Sequence, residues 1–232
     1  MTRFVQKADG RGSLKWIQHL VNDRADEFGV AVAEASGGQI STPISWRSPL
    51  RSDHFAEYRD NDFLERVGVD LTRRSLQKFW PRGGPQWDAL GVTARGEPIL
   101  VEAKANIPEV ISPRTGASEP SRDLIRKSLA ETAAFLGADS TCDWTGTFYQ
   151  YTNRLAHLYL LHELNEIDTW LLFVYFVGDS DVHGPDTVAE WKAALEVLYG
   201  ALGLNRRHPL LRRRVDVFVD VRSSTVRATH FE

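Results

Sequence analysis

Residues 85–106 read Pro-Gln-Trp-Asp-Ala-Leu-Gly-Val-Thr-Ala-Arg-Gly-Glu-Pro-Ile-Leu-Val-Glu-Ala-Lys-Ala-Asn, and this stretch decides the fold. It divides into two short strands joined by a tight turn, Ala94-Arg95-Gly96-Glu97, where Gly96 is free to adopt positive φ. Asp88 opens the first strand. In the second, Ile99, Leu100 and Val101 run directly into Glu102-Ala103-Lys104, so a buried strand ends in two charged groups. Side chains alternate across a strand, which puts Glu102 and Lys104 on one face and Val101 and Ala103 on the other. Closing the hairpin brings Asp88 beside Glu102. Two carboxylates and an ammonium then converge at the edge of an otherwise apolar sheet.

Charges in that position are costly unless they pair with each other or with a metal. Two carboxylates suit a hard divalent ion such as Mg²⁺, which keeps several waters and takes phosphate oxygens from its substrate. A neighbouring lysine can orient a metal-bound water or stabilise charge growing on a phosphate. The residues alone therefore point to metal-assisted phosphodiester hydrolysis.

The same residues resemble the PD-(D/E)xK nuclease superfamily, a group that includes restriction endonucleases, Holliday-junction resolvases and phage exonucleases. Asp88, then thirteen residues, then Glu102-Ala103-Lys104 fits its spacing, while the residue before Asp88 is Trp87 and the nearest preceding proline is Pro85. The strong match covers about twenty residues, and the surrounding element order agrees with it. The resemblance implies an α/β fold: a three-layer α/β/α sandwich with a restriction-endonuclease-like α-β-β-β-α-β core and a mixed sheet. It implies that Asp88 and Glu102 bind Mg²⁺, with Mn²⁺ as a substitute, helped by the Ala103 carbonyl, while Lys104 assists the attacking water. It also implies an accessory acid from the first core helix, for which Glu65 and Glu57 are the candidates. The expected partner is nucleic acid, DNA rather than RNA, and cutting both strands of a duplex commonly implies a homodimer.

Outward from the hairpin, Ser13 is placed to cap a helix through about residue 28, with Leu14, Ile17, Leu20 and Val21 at helical spacing. The Ser/Thr/Pro/Gly-rich stretch from Ser36 to Pro49 reads as loop, Phe55 to Val67 as helix, and Leu76 to Pro81 as the first core strand before the Gly83-Gly84-Pro85 break. Beyond the hairpin, Pro, Gly and Ser dominate from Ile107 to Ser121, and Asp123 to Leu136 reads as helix. Phe148 to Leu164 is a strong helical pattern. Its polar stripe of Gln150, Asn153, Arg154 and His157 falls at i, i+3, i+4 and i+7, and facing the catalytic sheet it would meet the substrate. Trp170 to Val177 is an unbroken apolar run typical of a strand covered on both faces. Val188 to Leu202 follows as an amphipathic helix and Val215 to Val221 as an alternating strand. This order predicts one domain over 1–232: an N-terminal helical extension over 1–50, and a core over about 51–222 with an insertion at 107–144 that can serve as a lid over the site.

Composition sets the outer limits. The chain has 232 residues, of which 42% are hydrophobic and seven are Trp, enough for a sizeable core. No stretch approaches the roughly 20 apolar residues of a membrane span. The first ten residues show no apolar signal core, and Cys142 is alone, so the expected location is cytoplasmic, with no membrane partner. A net charge of −3 gives no broad pull toward nucleic acid, although Arg73 and Arg74, and Arg206, Arg207 and Arg212 to Arg214, form local basic clusters. Asp179-Ser-Asp181-Val-His183-Gly184 approaches an EF-hand loop, but a strand rather than a helix enters it, and capping of the next helix by Asp186 or Thr187 explains it better. Two rival functions remain open. One is a non-catalytic nucleic-acid or protein-binding module on the same scaffold; the other is a metal-dependent hydrolase of other phosphate compounds.

Overall fold

The computed structural model describes residues 3–8, 10–223 and 225–226. Seven strands and seven α-helices are described: β1 (Arg3–Phe4), α1 (Ser13–Asp23), α2 (Ala25–Ala35), β2 (Ser45–Ser48), β3 (Glu57–Tyr58), α3 (Asp60–Val67), α4 (Leu76–Phe79), β4 (Ala89–Val92), β5 (Pro98–Lys104), α5 (Glu119–Phe135), α6 (Tyr149–Tyr159), β6 (Trp170–Val177), α7 (Val188–Ala201) and β7 (Arg214–Asp220). The fold is α/β. Five strands form a mixed sheet in the order β2-β4-β5-β6-β7, and β1 pairs with β3 in a separate ribbon. The first two pairings of the sheet are antiparallel and the last two parallel. Helices cover both faces. Ile17, Phe28 and Val32 of α1 and α2 pack on Val101, Leu172, Val174 and Val217. On the other face, α3, α5, α6 and α7 enclose Leu100, Phe173, Tyr175 and Phe218. Among the described residues, no helix is long and apolar enough to cross a membrane.

The hairpin forms as its sequence dictates. Gly96 sits at φ 84, and Thr93 and Glu97 close the turn through the Thr93 N–H donated to the Glu97 carbonyl at 2.9 Å. Trp170–Val177 is a strand buried at every position, lying parallel to β5 with Phe173 opposite Glu102 and Tyr175 opposite Lys104. Thr187 caps α7 in a reciprocal capping box with Glu190, and the Asp179 carboxylate accepts the Asp181 N–H to close a 3₁₀ turn.

Elsewhere local pattern and structure part. Leu76 to Pro81 is not a strand. Leu76 and Phe79 are both buried at i, i+3, and the segment forms the single helical turn α4. The helix expected from Phe55 starts only at Asp60, because His54 and Phe55 take positive φ and Glu57–Tyr58 extends to pair with Arg3–Phe4. The polar loop Ser36 to Pro49 contains β2, whose alternation buries Trp46 and Ser48 and closes the sheet edge against β4. The first helix divides at Arg24 into α1 and α2, and both pack on the sheet. The described residues up to 50 therefore furnish two helices on one face of the sheet and its edge strand β2. Within 107–144, the chain runs through a 3₁₀ turn at Ile107–Val110 and an extended stretch before α5, which packs on α6.

Candidate active site

Register builds the site. The Asp88 N–H is donated to the Val101 carbonyl at 3.2 Å, and one Asp88 carboxylate oxygen, Oδ2, accepts the Ala103 N–H at 2.7 Å. Asp88 thus sits at the mouth of β4 beside the end of β5. In extended backbone the N–H and C=O of one residue point to the same neighbouring strand, so the Ala103 carbonyl faces the side that Asp88 occupies.

Glu102 is buried and held by two cations. Lys104 Nζ donates to Oε1, and Arg154 donates from Nε to Oε2 at 2.6 Å, with its NH2 at 2.5 Å. Gln150 Oε1 accepts a second Lys104 hydrogen bond at 3.0 Å. Arg154 in turn donates to the Gln86 carbonyl at 2.7 Å and to Asn153 Oδ1 at 2.9 Å, and lies over the Trp87 ring at 4.7 Å. Glu57 is the third carboxylate of the cluster: it is buried, and its Oε2 accepts from Gln6 at 2.9 Å and from the Gln86 side chain.

Electrostatics separates these acids. Burial pushes Asp88 well above its usual range, and the nearby charges of Glu102 and Glu57 add to the rise against Lys104. Burial likewise raises Glu57. Burial alone would raise Glu102 as well, but Arg154 and Lys104 more than offset it and hold the carboxyl below its ordinary value. Three carboxyls thus face two side-chain cations, so with all three ionised the cluster is one positive charge short, which is why Asp88 and Glu57 hold their protons more readily than usual. Its donors are hard oxygens, which suits Mg²⁺ or Mn²⁺. Among the described residues, however, no three acidic, His or Cys side chains close around one point. Both Glu102 oxygens already face cations, so a divalent ion shared by Asp88 and Glu102 would compete with Lys104 or Arg154 for that carboxylate.

The stripe on α6 points at the sheet. Gln150 and Arg154 stand between the Glu102–Lys104 pair and a cleft of about 680 Å³, whose floor includes Glu57, Asp88 and Asn153. Glu102 and Lys104 line a separate void behind them with Val110 and Tyr175. His157, the last member of the stripe, is enclosed by Phe63, Trp80 and Trp87 rather than by the cleft, and desolvation lowers its pKa to about 3. The helix is fixed from below by Tyr151, whose hydroxyl accepts from Arg214 NH1 at 2.7 Å while Arg214 NH2 donates to Asp216 at 2.6 Å.

The structure thus brings together Asp88, Glu102, Lys104, Glu57, Gln150, Asn153 and Arg154, all seven named from sequence. Glu65 is not among them: it is exposed on α3 and lines another depression with Asn61 and Asp70. The basic clusters do not join the site either. Arg214 is partly buried and pairs with Asp216, Arg206 pairs with Glu196, Arg213 pairs with Glu97 and Asp168, and Arg73 pairs with Glu166. Two contributors escaped sequence reading, Gln86 and Ser112. Gln86 binds both Glu57 and Arg154, and its place two residues before Asp88 was the available signal. Ser112 Oγ accepts the Gln150 N–H at 2.8 Å and seats the 112–117 segment on the start of α6.

Comparison with known proteins returns no match: no protein-family model, no curated protein and no solved structure is recognisably similar to this chain.

Proposed function

We propose that this protein is a metal-dependent nuclease with a restriction-endonuclease-like core, hydrolysing phosphodiester bonds in nucleic acid, DNA by expectation. The observation that carries this reading is the convergence of Asp88, Glu102 and Lys104 at the end of adjacent strands, in a cluster short of one positive charge. Asp88, the Ala103 carbonyl and, once it exchanges Arg154, Glu102 are the groups that would hold Mg²⁺ or Mn²⁺. When bound, the ion supplies Lewis-acid polarisation of the phosphate and a more acidic water. The chain's own residues do the rest. Lys104, kept in place by Gln150, offers its ammonium to the attacking water or to the charge growing on phosphate oxygens. Arg154, released from Glu102, has donors that match a phosphate in a bidentate manner. Asp88, with its raised pKa, takes up a proton when no cation is present, so activity should fall with decreasing pH earlier than an ordinary aspartate would require.

The test is cleavage of labelled DNA and RNA, single- and double-stranded, with Mg²⁺, Mn²⁺ or EDTA. Wild type should cut only with metal, Asp88→Ala should not cut, and Lys104→Ala should lose about 10²–10³-fold in rate, the scale of one lost transition-state contact. Equal rates for Lys104→Ala and wild type would remove the mechanism. Cutting of nucleotides but not polymers would move the protein to the rival class of phosphate hydrolases.

A further inference from the structure

We infer that the cleft takes an unpaired polynucleotide strand, a free end or a flap, and excludes continuous duplex; this rests on the nuclease reading and narrows its substrate. The floor is deep. Relative exposures of Glu57, Asn153 and Arg154 are 4%, 6% and 2%, and Glu102 behind them is 1% exposed. A phosphate reaches these groups only on a chain slender enough to enter between the segments 80–86 and 112–117, both of which line the cleft. Its volume of about 680 Å³ lies within the ~300–1,000 Å³ of pockets that hold a small ligand.

The walls are tied down rather than poised to swing apart. The Asp60 carboxylate accepts the N–H groups of Gly83 at 3.2 Å and Gly84 at 2.9 Å. On the other segment, the Ser112 N–H is donated to the Thr147 carbonyl at 2.8 Å, and the Ala117 carbonyl accepts from Arg122 at 3.0 Å. Arg82 and Arg114, one on each segment, are exposed at the cleft. Arg114 makes only a surface pair with Asp143, and Arg82 forms no ion pair among the described residues. Tyr149, itself partly exposed, lines the same cleft, with its ring 6.5 Å from that of Trp80 and 21° between the planes. Cations along a groove and an aromatic platform within it are the two devices by which single strands are held without sequence preference.

The experiment is fluorescence anisotropy with the full chain in EDTA, where nothing is cut. The probes are a labelled single-stranded oligonucleotide and the same sequence as blunt duplex, each as DNA and as RNA, over a salt series. The single strand should bind at least about fivefold more tightly than duplex, the lower end of one stacked base. Arg82→Ala and Arg114→Ala should each reduce the slope of log K against log salt by about 0.7, and Tyr149→Ala should weaken binding without changing that slope. Because all three side chains are at least partly exposed, the variants should remain folded. Duplex binding equal to or tighter than single strand, or no binding of either, overturns the inference. Metal-dependent cutting in the separate cleavage assay decides the nuclease reading independently, since an enzyme that binds and cuts duplex would satisfy one and sink the other.

Discussion

On one face of β5, Ile99, Val101 and Ala103 meet the helices α1 and α2; on the other, one residue along, Glu102 and Lys104 meet α6. The first face is apolar throughout and belongs to a cluster of aliphatic side chains and aromatics. The second carries the buried Glu102 ion pairs and, beyond Phe173, a separate part-buried pair of Arg214 with Asp216, with Asp216 opposite Phe173 and Phe173 opposite Glu102. The difference separates two ways of using burial. On the apolar face desolvation stabilises, because nothing polar loses water. On the polar face it costs, and Glu102 is retained because Lys104 and Arg154 match it, whereas at Asp88 and Glu57, which no side-chain cation pairs among the described residues, the balance fails.

That contrast can be broken from the charged side. Arg154→Met should leave Glu102 with Lys104 alone and lower stability by about 3–5 kcal/mol, read by urea denaturation. Combining it with Glu102→Gln should restore much of the loss, because the uncompensated charge goes with it; a double variant as unstable as the single would mean that Arg154 acts through packing on Trp87.

His157 sharpens the comparison by a second route, since it is a titratable group inside the aromatic part of the same layer. Its folded pKa of about 3 lies below an unfolded value near 6.5, so the unfolded chain binds the extra proton. Stability should therefore be complete above that unfolded value and should fall by about 1.4 kcal/mol per pH unit below it, until the folded pKa is reached. Asp88 and Glu57, both raised, act with the opposite sign, so the measurement is the difference between wild type and His157→Gln across pH 7 to about 5. Parallel curves would contradict the burial of a neutral imidazole.

The smallest effect belongs to the apolar face. Ile99→Val should cost about 0.5–1.5 kcal/mol and leave the cleavage rate of the folded protein unchanged. A change in rate at constant folded fraction would show that the two faces are coupled through the strand.

Legibility in the sequence followed the length and strength of the pattern. β6 and α7 were readable within a residue or two because eight apolar residues in a row and a full amphipathic helix admit few alternatives. β2 was not, since Ser-Trp-Arg-Ser buries only two side chains and becomes a strand by pairing with β4 rather than by preference of its own. α4 reads as a strand from sequence because a single helical turn is too short to show its period. The site was readable for a different reason: charged residues ending an apolar run need an explanation within the sequence itself. Glu57 lies ahead of the helix that the sequence predicts for it and reaches the site on a two-residue strand instead. Gln86 and Ser112 were not readable, because uncharged polar residues in loops gain meaning only from the backbone groups that tertiary packing brings to them.

The pairing of β5 with β6 has a consequence for the order in which the chain matures. Ile99 lies beside Trp170, and Glu102 and Arg154 bond across 52 positions of sequence, so the charged cluster cannot be completed from the hairpin alone. During synthesis the hairpin leaves the ribosome with Glu102 and Lys104 hydrated and its apolar edge open, and it stays so until the chain has extended past α6 and delivered β6. Non-local, parallel pairing of this kind is slow to form and leaves a strand edge available to other chains in the meantime. The same hydrated charges that become costly in the finished site are, in that interval, what keeps the exposed end of the hairpin from associating with its neighbours.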